Sequence, residues 1–198
     1  AVAGGMAIGL AAGLLVALTL MLVGIVLRGS AFTFRTYDTQ HDATHRRWGR
    51  IFASASVITP VLLGVSIGAV ATGRVSGETS GTFVQRFVEP WLNPFAFSVG
   101  LLALVLFAFL AAVFLTLETH DPELREDFRR RALAAGVAVF FGSALVLLLS
   151  HEAAPLVRTG LTASPWALYL HLATAVSAIT VLAALWYRRF RLARMGAG

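Results

Sequence analysis

The sequence contains no cysteine and no lysine. Without cysteine there is no disulfide framework, no thiolate nucleophile and no thiolate metal site. The missing lysine reads as a coding bias toward arginine, and no function follows from it. Charge is scarce as well: 13% of the 198 residues are charged, against about 25% in a soluble domain. So few charges do not make a water-facing surface for the whole chain. The net charge is +6, yet the basic residues stand in short clusters between long apolar runs. That placement argues against nucleic acid, which calls for a basic face along an element. The chain also lacks a Gly-rich phosphate loop, an HExxH motif and any Ser-His-Asp arrangement that can be placed. It opens Ala1-Val2-Ala3-Gly4-Gly5, without Met or a basic n-region, so no signal peptide is read there. With the abrupt Gly196-Ala197-Gly198 end, the expectation is a fragment of a longer protein.

What the chain has instead is apolar length. Hydrophobic residues make up 58%, and the mean hydropathy is +0.79. Five stretches are nearly or wholly without Asp, Glu and Arg: 1–27, 51–73, 87–117 (broken by Glu89), 132–150 and 159–187. A bilayer crossing takes about 20 apolar residues. Lipid cannot satisfy exposed backbone groups, and no stretch alternates as a barrel strand would, so each is expected to be a helix. The fold class is therefore all-α: a polytopic transmembrane helix bundle of about five helices, one transmembrane domain over 1–198. Its spans fall at about 3–27, 51–73, 92–117, 132–150 and 164–187.

The arginines orient the bundle. Loop 28–50, loop 118–131 and the tail after 187 together hold thirteen, and the alternate loops hold only Arg74, Arg86 and Arg158. By the positive-inside rule the first set is cytoplasmic, which puts residue 1 outside and residue 198 inside. Trp48, Trp91, Trp166, Trp186 and Tyr187 lie at span ends, as an interfacial aromatic belt requires. Asp121-Pro122-Glu123 reads as the start of a short cytoplasmic helix through Arg131, acidic residues first and arginines last. Gly5, Gly9 and Gly13, and again Gly64 and Gly68, recur four apart, a spacing that lets helices approach closely. Pro60 lies mid-span and frees the carbonyl of Ser56, so a kink is expected.

Candidate chemistry is thin. His41 and His45 are four apart but have no third ligand near, which favours a solvated loop. His120 lies in a loop, and His151-Glu152 closes the fourth span. His171 lies about two turns into the fifth span, where an ionisable group is costly and a role is the default expectation, although a neutral His bonded to a neighbouring helix is the commonest outcome. A six-coordinate haem needs two facing intramembrane imidazoles, and only His171 is deep enough. No span core holds Asp or Glu.

Three stretches carry a family resemblance. Leu27-Arg28-Gly29-Ser30-Ala31-Phe32-Thr33-Phe34-Arg35 is similar to the Leu-Arg-Gly-x-Ala-Phe-x-Phe-Arg run of subunit II of cytochrome bd-type quinol oxidases. Trp91-Leu92-Asn93-Pro94-Phe95 resembles that family's W-L-x-P-F helix entry. Phe114-Leu115-Thr116-Leu117-Glu118-Thr119 resembles its Y-L-T-x-E-T exit. Order and spacing match over nearly the whole chain. The resemblance implies a multi-pass protein of the bacterial cytoplasmic (inner) membrane, lacking here the family's first and last helices. It implies a heterodimer with subunit I, which oxidises quinol and reduces dioxygen to water. Haem b and haem d would sit in that partner. Subunit II would scaffold it, line a proton route and, in some members, hold a quinone. The isolated chain is expected to be inactive and to bind no metal. The motif residues marked by the resemblance are Arg28, Phe32, Arg35, Asn93, Pro94 and Glu118. Thr33 stands where the family often has an acidic residue assigned to proton uptake, so that role is not carried over.

The alternative is a small-solute transporter or channel subunit. It would call for Gly/Pro-broken helices at matching points of two halves. Only Pro60 interrupts a span centre.

Overall fold

Backbone groups in hydrocarbon have no water to bond, so an apolar chain there must close its hydrogen bonds within helices. The computed structural model describes residues 2–37, 42–73 and 91–197, with side chains for 14–34, 46–73 and 91–196. Among these residues there are seven helices and no strand. They are α1 (Val2–Tyr37), α2 (Asp42–Ala71), α3 (Pro94–Glu118), α4 (Pro122–Ala153), α5 (Pro155–Ala163), α6 (Ala167–Trp186) and α7 (Phe190–Ala197). Five of them, α1, α2, α3, α4 and α6, are long and apolar enough to cross a membrane. The all-helical architecture expected from composition, with five helices long and apolar enough to span, is thus the one observed.

Two helices run further than the apolar stretches alone suggest. α1 has 36 residues, about 54 Å at 1.5 Å each, against a hydrocarbon core of about 30 Å. It carries the Arg28–Arg35 segment as helix, where a loop was expected from residue 28. Nothing in Gly29-Ser30-Ala31 is strong enough to stop it. α4 has 32 residues, so the short helix expected through Arg131 and the span after it are one continuous element. Its start follows the local chemistry: Asp121 accepts the amide of Glu123 at 2.9 Å, and Pro122 occupies the first turn.

The chain divides into two units, Ala1–Leu104 and Val105–Gly198. In the first, α1 lies along α2, and Leu14, Val65, Ala69 and Ala96 form the buried core with Val61 and Trp91 against it. The Gly64/Gly68 face receives the start of α3. A Cβ placed on Gly64 would stand 2.7 Å from the Cα of Gly100, and one on Gly68 2.7 Å from the Cα of Ala96. The side chains of Gly5, Gly9 and Gly13 lie outside the described residues.

In the second unit the core is Ala112, Val113, Ala132, Val181, Ala184, Leu185 and Ala193, with Phe109, Leu133 and Phe190 packed on it. The segment after α6 does not trail away. The amide of Arg189 bonds the carbonyl of Ala184 at 2.7 Å, closing a six-residue turn around Arg188, whose φ is +58. The reversal lays α7 back along α6, where the Ser177 hydroxyl donates to the Gly196 carbonyl at 2.7 Å.

Candidate functional site

A helix brings residues i, i+3, i+4 and i+7 onto one face. On α1 that face carries Ile25, Arg28, Gly29 and Phe32. They form one wall of a hollow of about 520 Å³, and Phe52 and Thr59 of α2, seven apart, form the other. The two helices meet tightly at one end of it, since a Cβ on Gly24 would collide with the hydroxyl of Thr59. Arg28 holds its guanidinium 5.7 Å from the centre of the Phe52 ring, a cation–π arrangement. Beyond the hollow, Phe34 stacks on Trp48 with ring centres 4.6 Å apart.

The polar groups of α2 along this stretch are unusual. Pro60 lies inside α2 and has no amide to give the carbonyl four residues back. The hydroxyls of Ser56 and Thr59 are buried and have no hydrogen-bond partner among the described residues. Buried polar groups are ordinarily paired, so Thr59 brings an unpaired hydroxyl to a hollow that an arginine and two phenyl rings also line. Thr33 takes no part: its hydroxyl donates to the Gly29 carbonyl of its own helix at 3.1 Å. The sequence showed Pro60 and the Ser56 carbonyl, but not that Phe52 and Thr59 face Arg28.

Of the residues marked by the family resemblance, Arg28 and Phe32 come together here. Arg35 is helical in α1, and its side chain lies outside the described residues. Asn93 caps α3, its Oδ1 accepting the Ala96 amide at 2.8 Å, and Pro94 is the first helical residue. Glu118 ends α3 and pairs with Arg194 at 3.5 Å, while Arg194 lies 5.0 Å over the Phe114 ring.

His171 is held from α5. Its Nε2 lies 2.8 Å from the carbonyl of Leu161. A carbonyl only accepts, so Nε2 carries the proton and donates it. Leu161 is in the last turn of α5, where carbonyls lack an intrahelical partner. His120 is exposed between α3 and α4, and His151 and Glu152 are exposed at the end of α4. His41 and the side chain of His45 lie outside the described residues. A haem ligand pair needs two imidazoles facing each other, and with Nε2 of His171 bonded to Leu161 the described histidines do not form one. Among the described residues no three of His, Asp and Glu gather as a metal site.

The second unit is fastened at its arginine-rich end. Arg129 donates to Glu126 through Nε at 2.9 Å and Nη2 at 2.6 Å, a two-point pair. It also reaches the carbonyl of Leu185 at 3.5 Å. That carbonyl lies in the last turn of α6, where a cation favours the helix dipole. Arg130 and Arg188 stand 3.6 and 3.5 Å from the same carboxylate.

The family model described as cytochrome bd terminal oxidase subunit II matches residues 6–197. No curated protein matches the chain.

Proposed function

The chain belongs to the cytochrome bd terminal oxidase subunit II family, and on that premise we propose that it serves a quinol:dioxygen oxidoreductase as the subunit that ligates no haem. It scaffolds subunit I, which carries haems b and d, in a heterodimer of the bacterial inner membrane. The thirteen arginines of loop 28–50, loop 118–131 and the tail after 187 face the cytoplasm.

The observation that supports a role near the chemistry is the hollow around Arg28. Its two phenyl rings suit the flat ring of a quinone, and the unpartnered Thr59 hydroxyl suits a quinone oxygen. A bound quinol would supply two electrons and two protons on oxidation. The chain's own contribution is to orient that ring between Phe32 and Phe52 and to place a fixed positive charge beside it. Arginine stays protonated at all working pH values, so Arg28 stabilises negative charge and does not relay protons. Thr33 is bonded to its own helix, and the Thr59 hydroxyl remains as the uncharged hydrogen-bonding group beside the ring.

The test is Arg28→Ala in the full-length subunit, co-expressed with subunit I. Quinol oxidase turnover should fall while the reduced-minus-oxidised haem spectrum and the yield of complex hold. Loss of assembled complex would make Arg28 a structural anchor. Unchanged turnover would remove the hollow from the reaction altogether.

A further inference from the structure

At the arginine-rich end of the second unit lies a hollow of about 580 Å³ that the oxidase reading does not use. Arg125, Arg188, Arg189 and Arg191 line it together with Leu117 and Leu192. No Asp or Glu is among its lining residues. The fold sets this geometry. The left-handed turn at Arg188 presents Arg188 and Arg189 on the reversal between α6 and α7, and Arg191 stands in the first turn of α7. Arg125 reaches in from α4, fixed by its Nη2 bond to the Thr119 carbonyl at 2.8 Å and lying 5.7 Å over the Phe190 ring. Its Nε is buried and without a hydrogen-bond partner among the described residues. Glu126, the carboxylate that pairs with Arg188 at 3.5 Å, is itself held at two points by Arg129. Arg189 and Arg191 have no carboxylate partner among the described residues.

Four guanidinium groups around one hollow repel each other unless an anion sits among them. Arginine forks match the oxygens of phosphate. We propose that this hollow binds the phosphate of an anionic membrane lipid. Two features select a lipid over free phosphate. Trp186 and Tyr187 are exposed beside the reversal, and exposed Trp and Tyr at a span end mark headgroup depth. Leu117 and Leu192 give the glycerol and upper acyl chain an apolar wall. A net negative headgroup is favoured over a zwitterionic one, because no Asp or Glu lines the hollow to take an ammonium group and Glu126 is already engaged by Arg129. The inference rests on the membrane placement of the helices and not on the Arg28 hollow.

The experiment uses the full-length subunit in its assembled complex, delipidated in detergent. Native mass spectrometry follows titration with dioleoylphosphatidylglycerol, dioleoylphosphatidylcholine or inorganic phosphate. The wild type should retain phosphatidylglycerol in preference to phosphatidylcholine. The double variant R189Q/R191Q should bind it about 25-fold more weakly, at about fivefold for each basic residue removed near a headgroup. R189K/R191K should keep most of the binding, and an unchanged haem spectrum reports that each variant assembles. Equal retention of the two lipids would overturn the proposal. So would unchanged affinity in an assembled R189Q/R191Q complex, or displacement of the lipid by millimolar inorganic phosphate. Failure here leaves Arg28→Ala turnover untouched, so the two readings are separately refutable.

Discussion

Gly64→Ala probes the contact that seats α3 on α2. The new methyl carbon would lie 2.7 Å from the Gly100 Cα, 2.7 Å from the Val99 carbonyl oxygen and 2.8 Å from the Ala103 Cβ. Ordinary carbon contacts lie at about 3.5–4.0 Å, so α2 and α3 must part by roughly 1 Å. None of the three atoms is the far end of a flexible side chain, and the strain cannot be shed by a rotamer change. Overpacking of this kind costs about 1–3 kcal/mol. For a chain of this size each kcal/mol is worth about 2–4 °C, so the thermal midpoint should drop by about 2–12 °C. Gly29→Ala is the control: a Cβ there meets nothing within 4 Å, and the change should be neutral or slightly stabilising through helix propensity. The assay is thermal unfolding of the assembled complex in detergent, followed by size-exclusion of a fluorescent fusion. A Gly64→Ala midpoint equal to wild type, or a Gly29→Ala midpoint lowered as far, would refute the close-approach reasoning.

Two further substitutions test single hydrogen bonds. His171→Leu removes the donor that satisfies the Leu161 carbonyl at 2.8 Å; the unfolding assay should show a loss of about 1 kcal/mol, with His171→Gln recovering part of it. Asn93→Ala removes the Oδ1 that caps α3 and should cost about 1 kcal/mol in the same assay, whereas Asn93→Asp should hold, since both Asn and Asp are good caps.

The number of long helices was legible because hydrocarbon demands about 20 apolar residues per crossing, a demand written plainly in composition. The Gly64/Gly68 spacing likewise marked the face that meets α3. Helix ends were harder to place. Charge suggested that α1 stops near Arg28, yet a helix ends where its backbone breaks, and α1 continues to Tyr37. The reversal at Arg188 carried no glycine signal, since an arginine occupies the left-handed position. The Arg28 hollow was only half visible. Helices that are apolar all round give no moment to say which residues face a neighbour, so Phe52 and Thr59 could not be assigned to Arg28 before the helices were packed. Asn93-Pro94 shows the reverse case. The pair carries a family motif, and its local geometry is also that of a helix start.

Between 6% and 28% of the apolar window of each span is buried within the chain. In water such exposure would unfold the protein, but lipid tails are as apolar as leucine and set no penalty on it. Apolar area therefore cannot decide which helix packs on which. That choice falls to contacts that lipid cannot imitate. One kind is backbone approach at Gly64 and Gly100, where any side chain would hold the helices apart. The other is hydrogen bonds from one helix to another's carbonyl, as from His171 to Leu161, Ser177 to Gly196 and Arg129 to Leu185. In water, core truncations cost the most. In this chain, replacing Phe140 or Leu148, both exposed on α4, should disturb the fold of the chain less than one methyl group added at Gly64.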